Sequence, residues 1–308
     1  SNNVPEPDLL SRLSRADCQL LAPHFNLLFP DTKEPADPNF LKEANAIALE
    51  LAANNEFSEL TGLTTAVISN NYAALGAFQH QTLRIAPDES EKKIKRSNEL
   101  RTQLGHYSGA MFYYAGEWYW GIDRLYHLEK RLIELGVNKD ESDDLICPRP
   151  EIAMGPLKDS GNLKLRFFPS LRSPYTSIIF DKTLELADKT GVQLQISPVL
   201  PMVMRGVPAT IQKGSYIMSD TAREAKELKI DWGKSIYDPI GEPVVNCYAL
   251  YPWAKRSGKG EALLREFLQC AFFEGINTNS SSGMKLVVER AGLDWIQAKS
   301  RLYLGEWE

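Results

Sequence analysis

The sequence predicts an α/β protein in which short strands lie between long helical stretches. Residues 163–197 have the pattern of strand, helix and strand, with apolar alternation at both ends and a helix signal in between. Residues 111–120 combine two runs of aromatic and apolar residues around an Ala-Gly-Glu turn, which is typical of a β-hairpin. The flanking segments 8–104 and 216–308 have mostly helical patterns.

The composition is that of an ordinary globular protein, with 43% hydrophobic and 24% charged residues in a chain of 308. This length is enough for roughly two domains. A net charge of −5 argues against nucleic acid or an anionic membrane as a partner. The apolar runs are shorter than the roughly 20 residues of a membrane span. Since the first residues lack a signal-peptide pattern, we expect a cytoplasmic protein.

The four cysteines are far apart, without a Cys-x-x-Cys pair and without zinc-ligand spacing to histidines. They are Cys18, Cys147, Cys247 and Cys270. This pattern predicts free thiols in a reducing compartment and no metal site. We therefore expect no dithiol oxidoreductase activity.

The first half is predicted to be helical up to Leu104. A helix over 8–29 is expected to break near Pro23, and a strongly amphipathic one follows from Phe40 to Asn54. The predicted hairpin is followed by a helix from Leu125 to Leu135. In the second half, helical patterns cover 218–228, 261–273 and 285–290.

These predicted elements divide the chain into five segments. Residues 137–162 contain three prolines and an acidic run, which predicts a linker. The parts are a helical subdomain 1–104, a hairpin with its helix 105–136, the linker 137–162, a βαβ segment 163–215 and a second helical subdomain 216–308.

A weak internal repeat relates the two helical subdomains. Asp17 and Asp220 are 203 positions apart, and further similar residues match at the same separation. The further matches are Ala22 with Ala225, Phe25 with Leu228, Leu27 with Ile230 and Phe29 with Trp232, and Glu34-Pro35 matches Glu242-Pro243 at a similar distance. The pattern predicts two copies of one helical subdomain.

The chemistry is expected at Ser173 and Pro174, which open the helix of the βαβ segment. Serine is a preferred N-cap and proline a preferred first helical residue, so capping alone explains the pair. The same helix end also favours an anion, such as a thiolate, carboxylate or phosphate, to which the Ser173 hydroxyl could donate. Both interpretations stay open on the residues alone.

The segment Phe167–Ile179 resembles the active-site segment of kappa-class glutathione transferases and 2-hydroxychromene-2-carboxylate isomerases. Their signature is an apolar strand followed by Ser-Pro-Tyr-Ser, and residues 173–176 match it with Thr176 as the last residue. Lys213-Gly214 resembles the pair that contacts the glutathione carboxylate in that family. The larger superfamily is the DsbA-like thioredoxin fold, which implies a thioredoxin-like βαβ…ββα sheet with large helical insertions.

Residues 104–124 of the first half resemble the C-terminal half of the same thioredoxin-like domain. Ala110 stands where relatives have a cis proline, and Asp123-Arg124 resembles the helix start whose aspartate receives the γ-glutamyl ammonium. Residues 5–136 resemble the helical insertion and C-terminal half of one unit, and residues 163–308 resemble the N-terminal half and insertion of a second. From this order we expect the chain to be the middle of a longer tandem protein. One four-stranded sheet, formed within one chain or between two, would join hairpin 111–120 to residues 163–197.

The resemblance implies a glutathione-dependent isomerase or transferase that acts on a small electrophile, with Ser173 as the catalytic residue that stabilises the glutathione thiolate. The implied glutathione-binding residues are Lys213, Asp123, Arg124, Pro174, Tyr175 and Ala110. The alternative is a catalytically degenerate thioredoxin-like module that binds a peptide or a partner domain. A homodimer is open in either case.

Overall fold

The chain divides into two compact units, 1–150 and 151–308, and the division falls inside the predicted linker. The computed structural model describes residues 7–30, 36–79, 85–139, 142–151, 158–233 and 235–302. The Glu34-Pro35 match of the predicted repeat and parts of the predicted linker lie outside the described residues.

The first unit begins with helices. They are α1 (Pro7–Leu21), α2 (Pro38–Ala53), α3 (Glu59–Ile68), α4 (Tyr72–Gln79) and α5 (Pro87–Gln103). The predicted break near Pro23 is confirmed, because α1 ends at Leu21 and a 3₁₀ turn follows. Phe40 and Leu51 of α2 are buried with Leu63 of α3, which forms the core of these helices.

The predicted hairpin is confirmed as β1 (Met111–Tyr114) paired antiparallel with β2 (Glu117–Trp120). A 3₁₀ turn then leads into α6 (Leu125–Glu134). The alternation of β2 turns Tyr119 towards α6, where its ring is buried. Its hydroxyl donates to Glu117 over 2.9 Å.

The predicted βαβ segment of the second unit is also confirmed. β3 (Lys164–Phe167) pairs parallel with β4 (Gln193–Ile196), and α7 (Pro174–Thr190) connects them. Gly191 is the C-cap of α7, and its φ of 75° is a conformation that favours glycine.

The rest of the second unit is helical. A 3₁₀ turn (Met202–Arg205) precedes α8 (Ile211–Glu227), α9 (Glu242–Arg256), α10 (Gly260–Phe272), α11 (Ser281–Arg290) and α12 (Trp295–Arg301). Fully buried side chains of α9, α10 and α11, such as Leu250, Leu264 and Val287, form the core, and Leu171 and Phe180 join it. Among the helices of the described residues, none has the length and apolar character of a membrane-spanning helix.

The α/β class with helical subdomains is confirmed, because the described part of the chain is mostly helical with short strands. The four-stranded sheet expected within one chain is not formed: the described strands make two separate two-stranded sheets, β1–β2 and β3–β4. Each pair packs against a helix of its own unit, α6 on the hairpin and α7 on the parallel pair. These local contacts complete each pair separately, and a sheet formed between two chains stays a prediction.

Candidate functional site

The candidate site lies at the carboxyl ends of β3 and β4, where ligands of open α/β sheets usually bind. From this edge the chain runs from β3 into α7, and from β4 through residues 197–210 into α8. The two loops are joined directly, because the Val199 N–H donates to the Pro169 carbonyl over 2.9 Å.

Ser173 is the N-cap of α7. Its φ of −89° and ψ of 117° are extended, and its Oγ accepts a hydrogen bond from the Thr176 N–H over 3.3 Å. Pro174 follows as the first helical residue, as the capping preferences predict. Because a hydroxyl is donor and acceptor at once, this cap leaves the Ser173 proton for donation to an anion.

Tyr175 contributes to the packing of α7 on α8. Its hydroxyl donates to Oδ2 of Asp220 over 2.8 Å, and Asp220 is 1% exposed. The same carboxylate accepts from the Tyr216 hydroxyl and from the Arg223 guanidinium, at 3.3 and 3.2 Å. A buried carboxylate with three donors is well satisfied. The Tyr175 hydroxyl therefore fixes the first turn of α7.

Arg172 directly precedes the N-cap and is held by Asp238. Its Nε and Nη2 donate to the two carboxylate oxygens of Asp238 over 2.7 and 2.6 Å. The hydrogen bond to Asp238 raises the pKa of Arg172 above its ordinary value. This bidentate pair ties the loop before α7 to the segment before α9.

Lys213 lies in the first turn of α8. Its backbone N–H donates to Oγ1 of Thr210, the N-cap of α8, over 3.2 Å. Its half-buried side chain brings Nζ to 3.8 Å from the sulfur of Met202. This ammonium is thus held beside the loop that follows β4.

Tyr248 of α9 was missed by the sequence analysis. Its hydroxyl accepts from the Leu171 N–H over 3.1 Å and donates to the Val199 carbonyl over 2.8 Å. It therefore links the β3–α7 loop to the loop after β4. Burial raises the pKa of Tyr248, so the hydroxyl stays neutral and can serve both partners. No local signal marks this tyrosine, because its partners are distant in sequence.

The remaining predicted site residues belong to the first unit. Ala110 is exposed, has a φ of 55°, and its carbonyl accepts from the Gly121 N–H over 3.1 Å. Asp123 and Arg124 form an ion pair with each other, with Oδ2 and Nη1 2.7 Å apart. Ser173, Pro174, Tyr175 and Lys213 all belong to the second unit.

The cysteines lie outside the β3–α7 loop. Cys247 and Cys270 are buried in α9 and α10, and burial raises the pKa of Cys270 to about 11. Cys18 is exposed in α1 and Cys147 is half-buried. Within the described ranges, no group of three or more His, Cys, Asp or Glu side chains is arranged as metal ligands.

Two solved structures are similar to part of this chain. One is a 2-hydroxychromene-2-carboxylate isomerase, with 17% identity over 46% of this chain and 71% of that chain and a TM-score of 0.39. The other is a probable DsbA oxidoreductase from Streptomyces coelicolor, with 16% identity over 47% of this chain and 70% of that chain and a TM-score of 0.39. No protein-family model and no curated protein matches the sequence. The resemblance drawn from the sequence is thus confirmed as a partial structural similarity, from which neither activity nor ligand follows.

Proposed function

We propose that the second unit binds glutathione at the N-terminus of α7 and that the chain is a glutathione-dependent isomerase or transferase for a small electrophile. The observation that carries this proposal is Ser173, which caps α7 at the carboxyl end of a parallel strand. The Ser173 Oγ accepts a hydrogen bond from the Thr176 N–H, and the hydroxyl proton can be donated to a thiolate.

The chemistry at this place follows from electrostatics. The partial positive charge of a helix N-terminus and a hydrogen bond from Ser173 both favour the thiolate over the thiol. The thiolate then adds to an electrophilic carbon of a substrate double bond: the C–S bond forms as the π bond breaks, and the displaced electron pair takes up a proton from water. In an isomerase the thiolate leaves again after the substrate has rearranged, and in a transferase it stays as the conjugate.

The other contacts of glutathione are assigned by charge. Lys213 offers an ammonium to a glutathione carboxylate, and the first turn of α7, with Pro174 and Tyr175, supports the thiol end. Ala110, Asp123 and Arg124 of the first unit are not needed for this minimal site.

A second candidate function is a module that binds a peptide or partner domain without catalysis. Among the described strands, β3 and β4 pair with each other alone, which leaves the outer edges of this sheet unpaired. Phe168, directly after β3, is 56% exposed. An extended peptide that adds a strand to such an edge is a common mode of recognition.

Titration with glutathione separates the two candidates, and the chain supplies a matched control. Ser280 is the N-cap of α11: its Oγ accepts from the Gly283 N–H over 3.0 Å and donates to the Asn277 carbonyl over 2.7 Å. Each serine-to-alanine change should cost about 0.5–2 kcal/mol of stability. Only Ser173→Ala should also weaken glutathione binding, by about tenfold or more, because a hydrogen bond to a charged group is lost.

Calorimetric titration of the native chain and both variants measures this difference. If folded Ser173→Ala and Ser280→Ala bind glutathione with equal affinity, Ser173 is only a helix cap and does not bind the thiolate. The absence of glutathione binding by the native chain would favour the peptide-binding module.

A further inference from the structure

An open groove in the first unit is lined by apolar side chains of three helices. Leu10 and Cys18 of α1, Leu41 of α2, and Val67 and Ile68 of α3 surround a volume of about 560 Å³. Leu10 is 47% exposed and Leu41 is 40% exposed. Such a concentration of exposed apolar surface is typical of an interaction site.

The second unit contains helices that correspond to the walls of this groove. α1 and α8 are followed by the same backbone turn, since Asn26 and Lys229, 203 positions apart, have φ values of 54° and 56°. The backbone hydrogen bonds of the two turns also correspond at this separation. The Leu27 N–H donates to the Ala22 carbonyl as the Ile230 N–H donates to the Ala225 carbonyl, and the bond from Asn26 to Pro23 matches that from Lys229 to Lys226.

The next two helices correspond in the same way. After α2 and α9, Asn55 and Gly258 have φ values of 60° and 68° and are again 203 positions apart. At these two turns the Glu56 N–H donates to the Leu51 carbonyl as the Lys259 N–H donates to the Ala254 carbonyl. After α3 and α10, the Asn71 N–H donates to the Ala66 carbonyl as the Glu274 N–H donates to the Gln269 carbonyl. The walls α1, α2 and α3 thus have α8, α9 and α10 as counterparts.

In the second unit, α7 occupies the place between α8 and α10. Tyr175 of α7 donates to Asp220 of α8 over 2.8 Å. Asp181 of α7 accepts from Arg265 of α10 over 2.6 Å. The position between the corresponding helices of the first unit is the groove.

Four residues that line the groove have counterparts in the second unit that contact α7 or are fully buried. Trp232, which donates to Ser177 of α7 over 3.1 Å, is the counterpart of Phe29 in the groove. Further counterparts, each fully buried in the second unit, are Thr221 for Cys18, Val244 for Leu41 and Ala271 for Ile68. Asp17, exposed on α1, is the counterpart of the buried Asp220.

We propose that this groove binds an amphipathic helix of the same kind as α7, supplied by a polypeptide segment other than residues 158–201. An aromatic hydroxyl in the first turn of that helix donates to Asp17 as Tyr175 donates to Asp220. The α7 of a second copy is not this occupant, because it is already packed between its own α8 and α10. This proposal is independent of glutathione binding.

A synthetic peptide of residues 172–192 is the probe for the groove. Because an isolated helix of this length is marginal in water, a lactam between Glu185 and Lys189 replaces their ion pair and locks the helix. Fluorescence anisotropy of the labelled peptide measures its binding to the full chain. Bound peptide should slow alkylation of Cys18, which is exposed in the groove, at least severalfold.

Leu10→Glu in the chain should reduce peptide affinity by at least tenfold. Leu9→Glu is the matched control, because this neighbouring leucine is 50% exposed and does not line the groove. Asp17→Ala, or Tyr175→Phe in the peptide, should weaken binding about fivefold or more through the lost hydrogen bond. Circular dichroism checks that every variant is folded.

Three outcomes would overturn the proposal: no binding of the peptide to the native chain, equal losses in Leu9→Glu and Leu10→Glu, or a dimer of the native chain that Leu10→Glu dissociates. The last would make a second copy the occupant of the groove.

Discussion

At the scale of single residues, Tyr248 holds the candidate site together. Its hydroxyl bonds the Leu171 N–H and the Val199 carbonyl, which belong to the loops that follow the two parallel strands. Tyr248→Phe removes the hydroxyl, so the Leu171 N–H and the Val199 carbonyl lose this hydrogen-bond partner in the interior of the protein. We expect a loss of about 1–3 kcal/mol in the free energy of unfolding, measured by urea denaturation.

Tyr251→Phe on the same helix is the control for this prediction. The Tyr251 hydroxyl lies 3.5 Å from its acceptor, the Ile196 carbonyl, so the loss should be smaller. Glutathione affinity should also fall in Tyr248→Phe alone, because Leu171 precedes Ser173 by two residues. A Tyr248→Phe protein as stable as the native chain would contradict the linking role.

Ser173 and Tyr248 differ in how far the sequence could predict them. Ser173 and Pro174 are adjacent, and their helix-capping preferences are local, so both the cap and the helix start were predicted. The partners of Tyr248 are 77 and 49 residues away in the sequence. No local pattern encodes such pairs, because they form only when the helical subdomain packs on the βαβ segment.

At the scale of elements, Gly191 fixes the end of α7 and its approach to the preceding segment. An added Cβ there would lie 2.0 Å from the Asp159 carbonyl oxygen, in a backbone with a φ of 75°. Gly191→Ala should therefore cost about 2 kcal/mol or more. At Gly206, with a φ of 78°, nothing lies within 4 Å of an added Cβ, so Gly206→Ala should cost only about 1–2 kcal/mol.

Thermal unfolding followed by circular dichroism compares these two variants. A Gly191→Ala protein at least as stable as Gly206→Ala would show that the approach to Asp159 does not constrain the end of α7.

The elements also differ in how well the sequence predicts them. Hairpin 111–120 and α7 were predicted nearly to their observed ends, because turn residues and caps mark them. α9 was not singled out, since Pro243 opens it and Pro252 lies inside it, and prolines usually interrupt helices. A four-stranded sheet was expected because lone strand pairs rarely stand alone. Each strand pair is instead stabilised by the helix that packs on it, α6 on the hairpin and α7 on the parallel pair.

At the scale of the whole molecule, the two units have separate hydrophobic cores. Leu264 is fully buried in the core of the second unit, and Leu51 is 1% exposed in the core of the first. Each leucine-to-alanine change should destabilise its own unit by about 2–5 kcal/mol. Hydrogen exchange measured by mass spectrometry should show faster exchange in 158–302 for Leu264→Ala and in 36–79 for Leu51→Ala. Faster exchange in both ranges with either variant would mean that the units unfold together.

The central claim is that Ser173 and the N-terminus of α7 stabilise a glutathione thiolate. The most direct test is the pKa of the thiol of bound glutathione, followed by the ultraviolet absorbance of the thiolate across a pH titration. A free cysteine thiol has a pKa of about 8.5. In the native chain we predict a value below about 7.5, and in Ser173→Ala a value at least half a unit higher, while Ser280→Ala matches the native chain. A bound thiol that titrates like free glutathione in the native chain, or identically in the native chain and Ser173→Ala, would contradict the claim.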